Sequence, residues 1–204
     1  LRANTTGTAN IAVGGGSLEV NTTGGSNTAV GYGSLGANTT GGNNVALGLS
    51  SLLANTTGSA NTAVGKSSLV ANTTASNNVA VGDACLYTNT TGANNTAVGK
   101  DSLRLNTTGT AGTAIGYNAL SSNTSGASNT AVGAARPGSH GGTMELNTSG
   151  HSTVAVGGGA SYSNTTGDRN VSVGYLSLYA NTTANENVSV GANAMRYNTT
   201  GASN

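Results

Sequence analysis

The chain has 204 residues, of which 6% are charged and 3% aromatic, and its formal net charge is +1. Typical globular domains carry roughly 25% charged residues, so this composition is not that of an ordinary enzyme domain. Seven Lys and Arg residues spread along the whole chain form no basic patch, which excludes nucleic acid as a predicted partner. No apolar run approaches the ~18 residues of a membrane span, so none is predicted.

The repeated tripeptide Asn-Thr-Thr (or Asn-Thr-Ser) organises the chain. It recurs with a constant 17-residue period, and the one exception is Asn147, which follows Asn123 seven positions later than the period requires. A fixed period of this length is typical of a solenoid, in which each coil buries its apolar face only by stacking on its neighbours. The predicted fold is therefore an all-β, parallel β-solenoid (β-roll) of about twelve 17-residue coils with two short strands per coil, and residues 1–204 form one domain. Below, columns 0 to 16 number the positions of a coil from the Asn of its tripeptide.

Columns 0 to 3, with the consensus Asn-Thr-Thr-Gly, predict a turn, because Asn and Gly tolerate left-handed backbone and Thr hydroxyls bond nearby backbone groups. Stacked asparagines can also form an amide ladder. The predicted ladder consists of Asn21, Asn38, Asn55, Asn72, Asn89, Asn106 and Asn123. Each tripeptide also fits the acceptor sequence for N-glycosylation, and we favour the turn and ladder roles over glycan attachment.

Columns 6 to 9 predict the first strand and columns 12 to 15 the second. Column 9 is aliphatic throughout and is predicted to face the core, together with column 7, because alternate strand residues share a face. Its members are Val13, Val30, Leu47, Val64, Val81, Val98, Ile115, Val132, Val156, Val173 and Val190. Column 14 is predicted to face it from the second strand, through Leu35, Leu52, Leu69, Leu86, Leu103 and Leu120.

Column 8 contains only alanine and serine and is predicted to lie on the opposite strand face. A flat, uncharged stripe suits close packing against another chain, so we interpret it as a self-association face, with a very narrow interior as the alternative. The stripe includes Ala29, Ala46, Ala63, Ala80, Ala97, Ala114 and Ala131. Charged residues avoid columns 6 to 10, 13 and 14, which indicates that those columns are buried or closely packed.

A seven-residue insertion near residues 136–142 explains the one irregular spacing. Because both flanking coils keep their register, the insertion is predicted to project from a turn. Arg136, Pro137 and His140 make it a candidate contact loop, and a tolerated surface loop is the alternative.

The Asn-Thr-Ala-Val-Gly core with a downstream Ser-Leu resembles the N-S-V-A-I-G repeats of trimeric autotransporter adhesin heads. It is also similar to repeats of phage tail fibres and bacterial surface fibres, and the resemblance covers essentially the whole chain. It implies a left-handed parallel β-roll, two strands per coil and lateral association of three rolls. The adhesin-head unit is shorter than the unit of this chain, and the additional residues here correspond to the Asn-Thr-Thr-Gly turn. The family pattern contains no catalytic residues.

No residue pattern predicts catalysis, a metal site or a cofactor. Only His140 and His151 supply imidazoles, neither lies near a carboxylate or Cys cluster in sequence, and Cys85 occupies a column of small packed residues. We therefore expect a non-enzymatic, extracellular structural fibre subunit that self-associates laterally, end to end, or both.

The sequence begins at column 14 and stops at column 6 without a capping coil, so further coils or end-to-end stacking are expected, as in part of a longer fibre. The alternative function is an adhesin or phage tail-fibre shaft, at a cell surface or on a virion, that binds a surface receptor or glycan. Its contact surface would include Tyr32, Tyr87, Tyr117, Tyr162, Tyr175 and Tyr179.

Overall fold

The computed structural model describes residues 2–134 and 141–204, and these residues form a β-solenoid with one continuous parallel sheet. Strands follow one another in chain order across the sheet, and each pairs in register with the equivalent residues of the next coil, as Ala63 does with Ala80. The strands are β1 (Ile11–Val13), β2 (Thr28–Val30), β3 (Val45–Leu47), β4 (Thr62–Val64), β5 (Val79–Val81), β6 (Thr96–Val98), β7 (Thr113–Ile115), β8 (Thr130–Val132), β9 (Val154–Val156), β10 (Val171–Val173) and β11 (Val188–Val190). At the usual strand spacing of about 4.8 Å, ten intervals between strands give a sheet about 48 Å long.

The predicted all-β solenoid with a 17-residue period is confirmed, but the prediction of two strands per coil is wrong. Each coil from the one that begins at Asn4 to the one that begins at Asn181 contributes one strand, at columns 7 to 9, which gives eleven strands where about twelve coils were predicted. Columns 11 to 16 form consecutive turns. The reason is the backbone at columns 12 and 14, which is left-handed rather than extended: φ is +55° at Ser50 and +51° at Leu52. Residues in that region cannot continue a strand.

The left-handed leucines of column 14 are held in place by burial. A non-glycine residue in this conformation costs roughly 1–2 kcal/mol. The side chains of Leu35, Leu52 and Leu69 are fully buried, and burying a leucine contributes about 1.5–3 kcal/mol. Burial therefore offsets the backbone cost, and the predicted column 14 leucines do line the core.

Backbone hydrogen bonds between coils continue through the turns. In the turn half, the amide of Leu35 donates to the carbonyl of Ser51 in the next coil (3.0 Å), and that of Gly33 donates to Gly15 in the preceding coil (2.9 Å). At the Asn-Thr-Thr corner, the Thr39 carbonyl accepts the Thr22 amide (2.9 Å) and the Thr22 hydroxyl (3.0 Å). The turns are thus paired almost as regularly as the strands, which explains how so much irregular backbone is satisfied.

Glycine at column 10 is required where the strand ends. Gly65 has a φ of +126°, and a Cβ added there would lie 2.5 Å from the Gly82 carbonyl oxygen. Only glycine combines that backbone with such a close approach of the next coil.

The strand face that points into the interior is the opposite of the one predicted. Column 8 is buried, and no member of column 9 is: Val13 is 57% and Val190 68% exposed, and the central members are partly exposed. The predicted column 9 core is therefore wrong, and so is the predicted column 8 self-association face. All seven alanines of that predicted face are fully buried, namely Ala29, Ala46, Ala63, Ala80, Ala97, Ala114 and Ala131. The physical reason is space, because the column 14 leucines fill the narrow coil and leave room only for a methyl group opposite them.

At one place in the interior, a pair of serines replaces the usual contact between a column 14 leucine and a column 8 alanine. Ser161 is the only serine in column 14 of the described chain, and its hydroxyl lies 2.8 Å from that of Ser172 in column 8 of the next coil. Both side chains are fully buried, so each hydroxyl supplies the hydrogen-bond partner that the other needs. The interior thus accepts a polar side chain where a hydrogen-bond partner is at hand, as it also does at Ser189, whose hydroxyl lies 2.7 Å from that of Ser177.

The predicted asparagine ladder is present in the structure. Within it, the amide of Asn38 donates to Oδ1 of Asn21 (2.8 Å) and to the carbonyl of Gly41 (2.9 Å), and Asn55 repeats both bonds one coil later. A second ladder at column 6 uses the side chain differently, since Oδ1 of Asn27 accepts the backbone amide of Asn44 (3.0 Å). Because the column 0 amide nitrogens are buried donors, the folded coil has no room for glycans on the ladder residues.

Cys85 is a buried member of column 13, where serine is the commonest residue. Its sulfur lies 3.2 Å from the Ser102 hydroxyl, and burial raises the pKa of the thiol above its ordinary value. We therefore expect iodoacetamide to label native Cys85 at least about 100-fold more slowly than the urea-unfolded chain, as followed by mass spectrometry. Native labelling at the unfolded rate would contradict the buried position. As a control, Cys85→Ser should shift the free energy of unfolding by no more than about 0.5 kcal/mol.

Candidate interaction surface

The outer strand face is an extensive and regular surface that contains many of the exposed aliphatic residues of the described chain. We define it as the side chains of columns 7 and 9 in β1 to β11, which point away from the interior. In the central strands these side chains are partly exposed, as at Val64, Val81 and Val98, and at the outermost strands they are mostly exposed. Column 7 alternates threonine with valine and isoleucine, and column 9 contains only valine, leucine and isoleucine.

The geometry of this face is regular because every strand pairs in register with the next. Thr62 aligns with Val79 and then Thr96, and Val64 aligns with Val81 and then Val98. Two parallel ranks of side chains therefore run along the sheet for about 48 Å at the usual strand spacing.

The outer strand face carries no formal charge. No Asp, Glu, Lys or Arg occurs at columns 7 or 9 in any strand. The nearest charged positions along the chain are two residues away, after the strand at Lys66, Asp83 and Lys100 and before it at Arg169 and Glu186. Contiguous apolar patches larger than a few hundred Å² are uncommon on monomeric proteins and mark interaction sites. The outer strand face is therefore suited to apolar packing against another surface.

A second surface, the turn face, is formed by columns 11, 12, 15 and 16 and holds all seven tyrosines. Tyr32, Tyr87 and Tyr117 are exposed. Tyr162 and Tyr179 instead stack on each other, with ring centroids 5.2 Å apart and planes at 9°. Partial burial, helped by the nearby Glu145 carboxylate, raises the pKa of Tyr162.

The ring faces of the stacked tyrosines are therefore partly occupied. The Arg196 guanidinium also lies 5.9 Å from the centroid of the Tyr179 ring, which stacks on Tyr162. The six tyrosines predicted as one contact surface do lie on one face, but they differ in availability. The predicted contact loop, with Arg136, Pro137 and His140, lies outside the described residues.

The outer strand face was missed from the sequence although a signal for it exists. Column 8 never exceeds the size of serine, whereas column 9 accepts valine, leucine and isoleucine. A strict upper limit on size indicates a confined interior, and variation among larger aliphatic residues indicates a less confined surface.

Residues 2–134 and 141–204 contain neither a membrane-spanning helix nor a cluster of metal-binding side chains. No helix there is long and apolar enough to cross a membrane. Within the same ranges, no group of three or more His, Cys, Asp or Glu side chains is arranged to hold a metal ion.

A scan against protein-family models found no match, and searches of curated proteins and of solved structures likewise found no similar protein.

Proposed function

We propose that this chain is a non-enzymatic structural rod of an extracellular fibre, and that it associates laterally with further copies of itself through the outer strand face. The observation that carries the proposal is the regular, uncharged surface of β1 to β11, in which column 9 is aliphatic and column 7 alternates threonine with aliphatic residues. The continuous hydrogen bonding between coils supports the rod role, since each coil is tied to the next through both strand and turns. The resemblance to bacterial surface and tail-fibre repeats supports a location at a cell surface or on a virion.

We assign the proposed lateral interface to the outer strand face for two reasons: the alanine column is excluded, and burial of the valines contributes favourable free energy. The alanine column is inside, so it is not available to a partner. Burying the exposed part of each valine contributes on the order of 1 kcal/mol, and two ranks along eleven strands multiply that contribution. Charge at the centre of such an interface would oppose it, because a desolvated, unpaired ammonium costs several kcal/mol.

Lysine at three central positions of the outer strand face should separate the copies. We expect the triple variant Val64→Lys, Val81→Lys and Val98→Lys to have the mass of one chain by light scattering, while the unmodified chain has a multiple of it. The β-type circular dichroism spectrum should be retained, because the three side chains point outward.

The matched control places the same charges on the same coils but on another face. Thr57, Thr74 and Thr91 lie in column 2 and are exposed. Their triple lysine variant should keep the assembled mass. A single-chain mass for the unmodified protein, or an unchanged mass for the outer-face variant, would contradict lateral association through this face.

A receptor-binding shaft is the second candidate function. It is favoured by the exposed tyrosines of the turn face, since such side chains combine a large apolar ring with a hydroxyl and are common in recognition surfaces. The two functions are compatible, because the turn face and the outer strand face occupy different columns of the coil.

A further inference from the structure

A groove on the turn face crosses the coils that contain β1 to β3. Its volume is about 460 Å³, within the range of small-molecule sites. Its lining includes the three glycines Gly16, Gly33 and Gly36 together with the side chains of Tyr32, Leu53 and Glu19. The sequence opens the groove by placing glycine at columns 12 and 15, where later coils have larger residues such as Ser67 and Tyr87.

The backbone ladder between coils is interrupted inside this groove. In neighbouring coils the amide of column 16 donates to the column 15 carbonyl of the next coil, as from Ala37 to Leu53 (3.0 Å) and from Ala54 to Val70 (3.1 Å). Among the described residues, no such bond joins the Val20 amide to the Gly36 carbonyl, and neither group has another partner. Both residues line the groove. The groove therefore offers one unpaired donor and one unpaired acceptor.

The side chains around these two groups define what could bind them. Tyr32 is 71% exposed, with its ring packed beside Gly15, and presents an aromatic surface to the groove. The Glu19 carboxylate, 3.6 Å from the Arg2 guanidinium, adds a charged acceptor at the rim. Together they offer an apolar wall, one donor and two acceptors at a site of limited length.

This combination fits a compact ring with several hydroxyl groups. A sugar hydroxyl both donates and accepts, so neighbouring hydroxyls can satisfy the Gly36 carbonyl and the Val20 amide while another donates to Glu19. The C–H face of a pyranose can then pack on Tyr32. An extended peptide would need a series of backbone partners along a sheet edge, whereas the interruption supplies a single pair.

We propose that this groove is a binding site for one pyranose ring of a glycan. Tyr32 supplies the packing surface, and Glu19, Gly36 and Val20 supply the hydrogen bonds. The proposal does not rest on lateral self-association, because the groove and the outer strand face share no residue.

The test is saturation-transfer difference NMR on the full chain with methyl glycosides of glucose, galactose, mannose and N-acetylglucosamine. We expect transfer to at least one of them, with the strongest signal on the ring protons of one sugar face. Tyr32→Ala removes the wall, and alanine already occurs in this column at Ala192. The transfer signal should fall about five-fold or more, as for loss of one principal contact.

A second variant closes the groove without removing any contact residue. Gly33→Asn adds a side chain to the lining of the groove, and Asn118 and Asn193 occupy the same column with φ of +56° and +57°. We expect it to fold and to lose the transfer signal. The control Tyr117→Ala removes an exposed tyrosine from the same column outside the groove and should keep the signal.

Two results would overturn the proposal. One is no transfer to any glycoside from the unmodified chain, whether or not an alanine-leucine-alanine peptide gives transfer, and the other is transfer that survives both groove variants. Because mass by light scattering is measured on the same samples, failure of glycan binding is distinguishable from failure of lateral association.

Discussion

Replacing Ala80 by lysine is expected to unfold the central coils, whereas the same replacement at Val81 is expected to leave them folded. Ala80 is fully buried in column 8, and its neighbour Val81 lies on the opposite, partly exposed side of β5. Lysine at residue 80 would require a four-carbon chain and an ammonium group in a space that holds one methyl. An unpaired charge in such a site typically costs about 3–5 kcal/mol, and overpacking adds about 1–3 kcal/mol.

Urea unfolding followed by circular dichroism measures this difference. The expected loss at Ala80→Lys is at least about 4 kcal/mol, and the rod is expected to lose cooperativity because coil stability depends on neighbouring coils. For the single chain, measured where copies are dissociated, Val81→Lys should change the free energy of unfolding by no more than about 1 kcal/mol, because residue 81 then faces solvent. Equal losses at the two positions would show that the interior and exterior of the strand are assigned wrongly.

Replacing Asn72 by aspartate is expected to break the ladder with little change in shape. The Asn72 amide donates to Oδ1 of Asn55 (2.8 Å) and to the Ala75 carbonyl (3.0 Å), while its own Oδ1 accepts from Asn89 (3.0 Å). Aspartate replaces the donating nitrogen by an oxygen. That oxygen would face Oδ1 of Asn55 and the Ala75 carbonyl, which are both acceptors, with no hydrogen between them. Because the site is fully buried, we expect a loss of about 4 kcal/mol or more at pH 7.

The loss should depend on pH in a defined direction. Burial and the two facing acceptors disfavour the charged carboxylate, so the folded-state pKa of the new Asp lies above the unfolded value of about 3.9. The variant is therefore most stable below about pH 4, where the protonated carboxyl can donate, and it loses stability as the pH rises through the folded-state pKa. Unfolding free energies of the variant and the unmodified chain, compared from pH 3 to 7, measure this.

The matched control is Asn77→Asp in the same coil. Asn77 is exposed with a φ of +62°, and Asp101 already adopts a similar backbone, so its replacement should change stability by less than about 0.5 kcal/mol. A difference between unmodified and Asn72→Asp proteins that stays constant with pH would contradict a buried ladder amide.

The period, the parallel stacking and the column 14 leucines were predictable because each depends on regularity along the chain. The face of the strand was not, because period-2 alternation shows that columns 7 and 9 share a face but not which face is inside. Hydropathy favoured the valines, whereas the volume left beside Leu69 and Leu86 favours alanine. The single strand per coil was also unpredictable from propensity, since leucine at a φ near +50° is disfavoured locally and is held there by burial.

The surfaces were predictable to different degrees. The shared position of the tyrosines on the turn face is predictable, because they occupy only columns 11, 15 and 16 of the repeat. The groove depends on the coincidence of Gly33 and Gly36 with one interrupted hydrogen bond between coils, and no residue pattern predicts that interruption.

The asparagine ladder gives the rod an electrical direction. Every amide-to-amide bond at column 0 runs from a later coil to the earlier one, as from Asn38 to Asn21 and from Asn181 to Asn164. The side-chain dipoles therefore add along the axis instead of cancelling. At any level of the stack, the side facing later coils presents amide oxygens and the side facing earlier coils presents N–H groups, as at the unpaired Oδ1 of Asn181. Two coils can thus meet in one orientation only, and an inverted coil would set oxygen against oxygen.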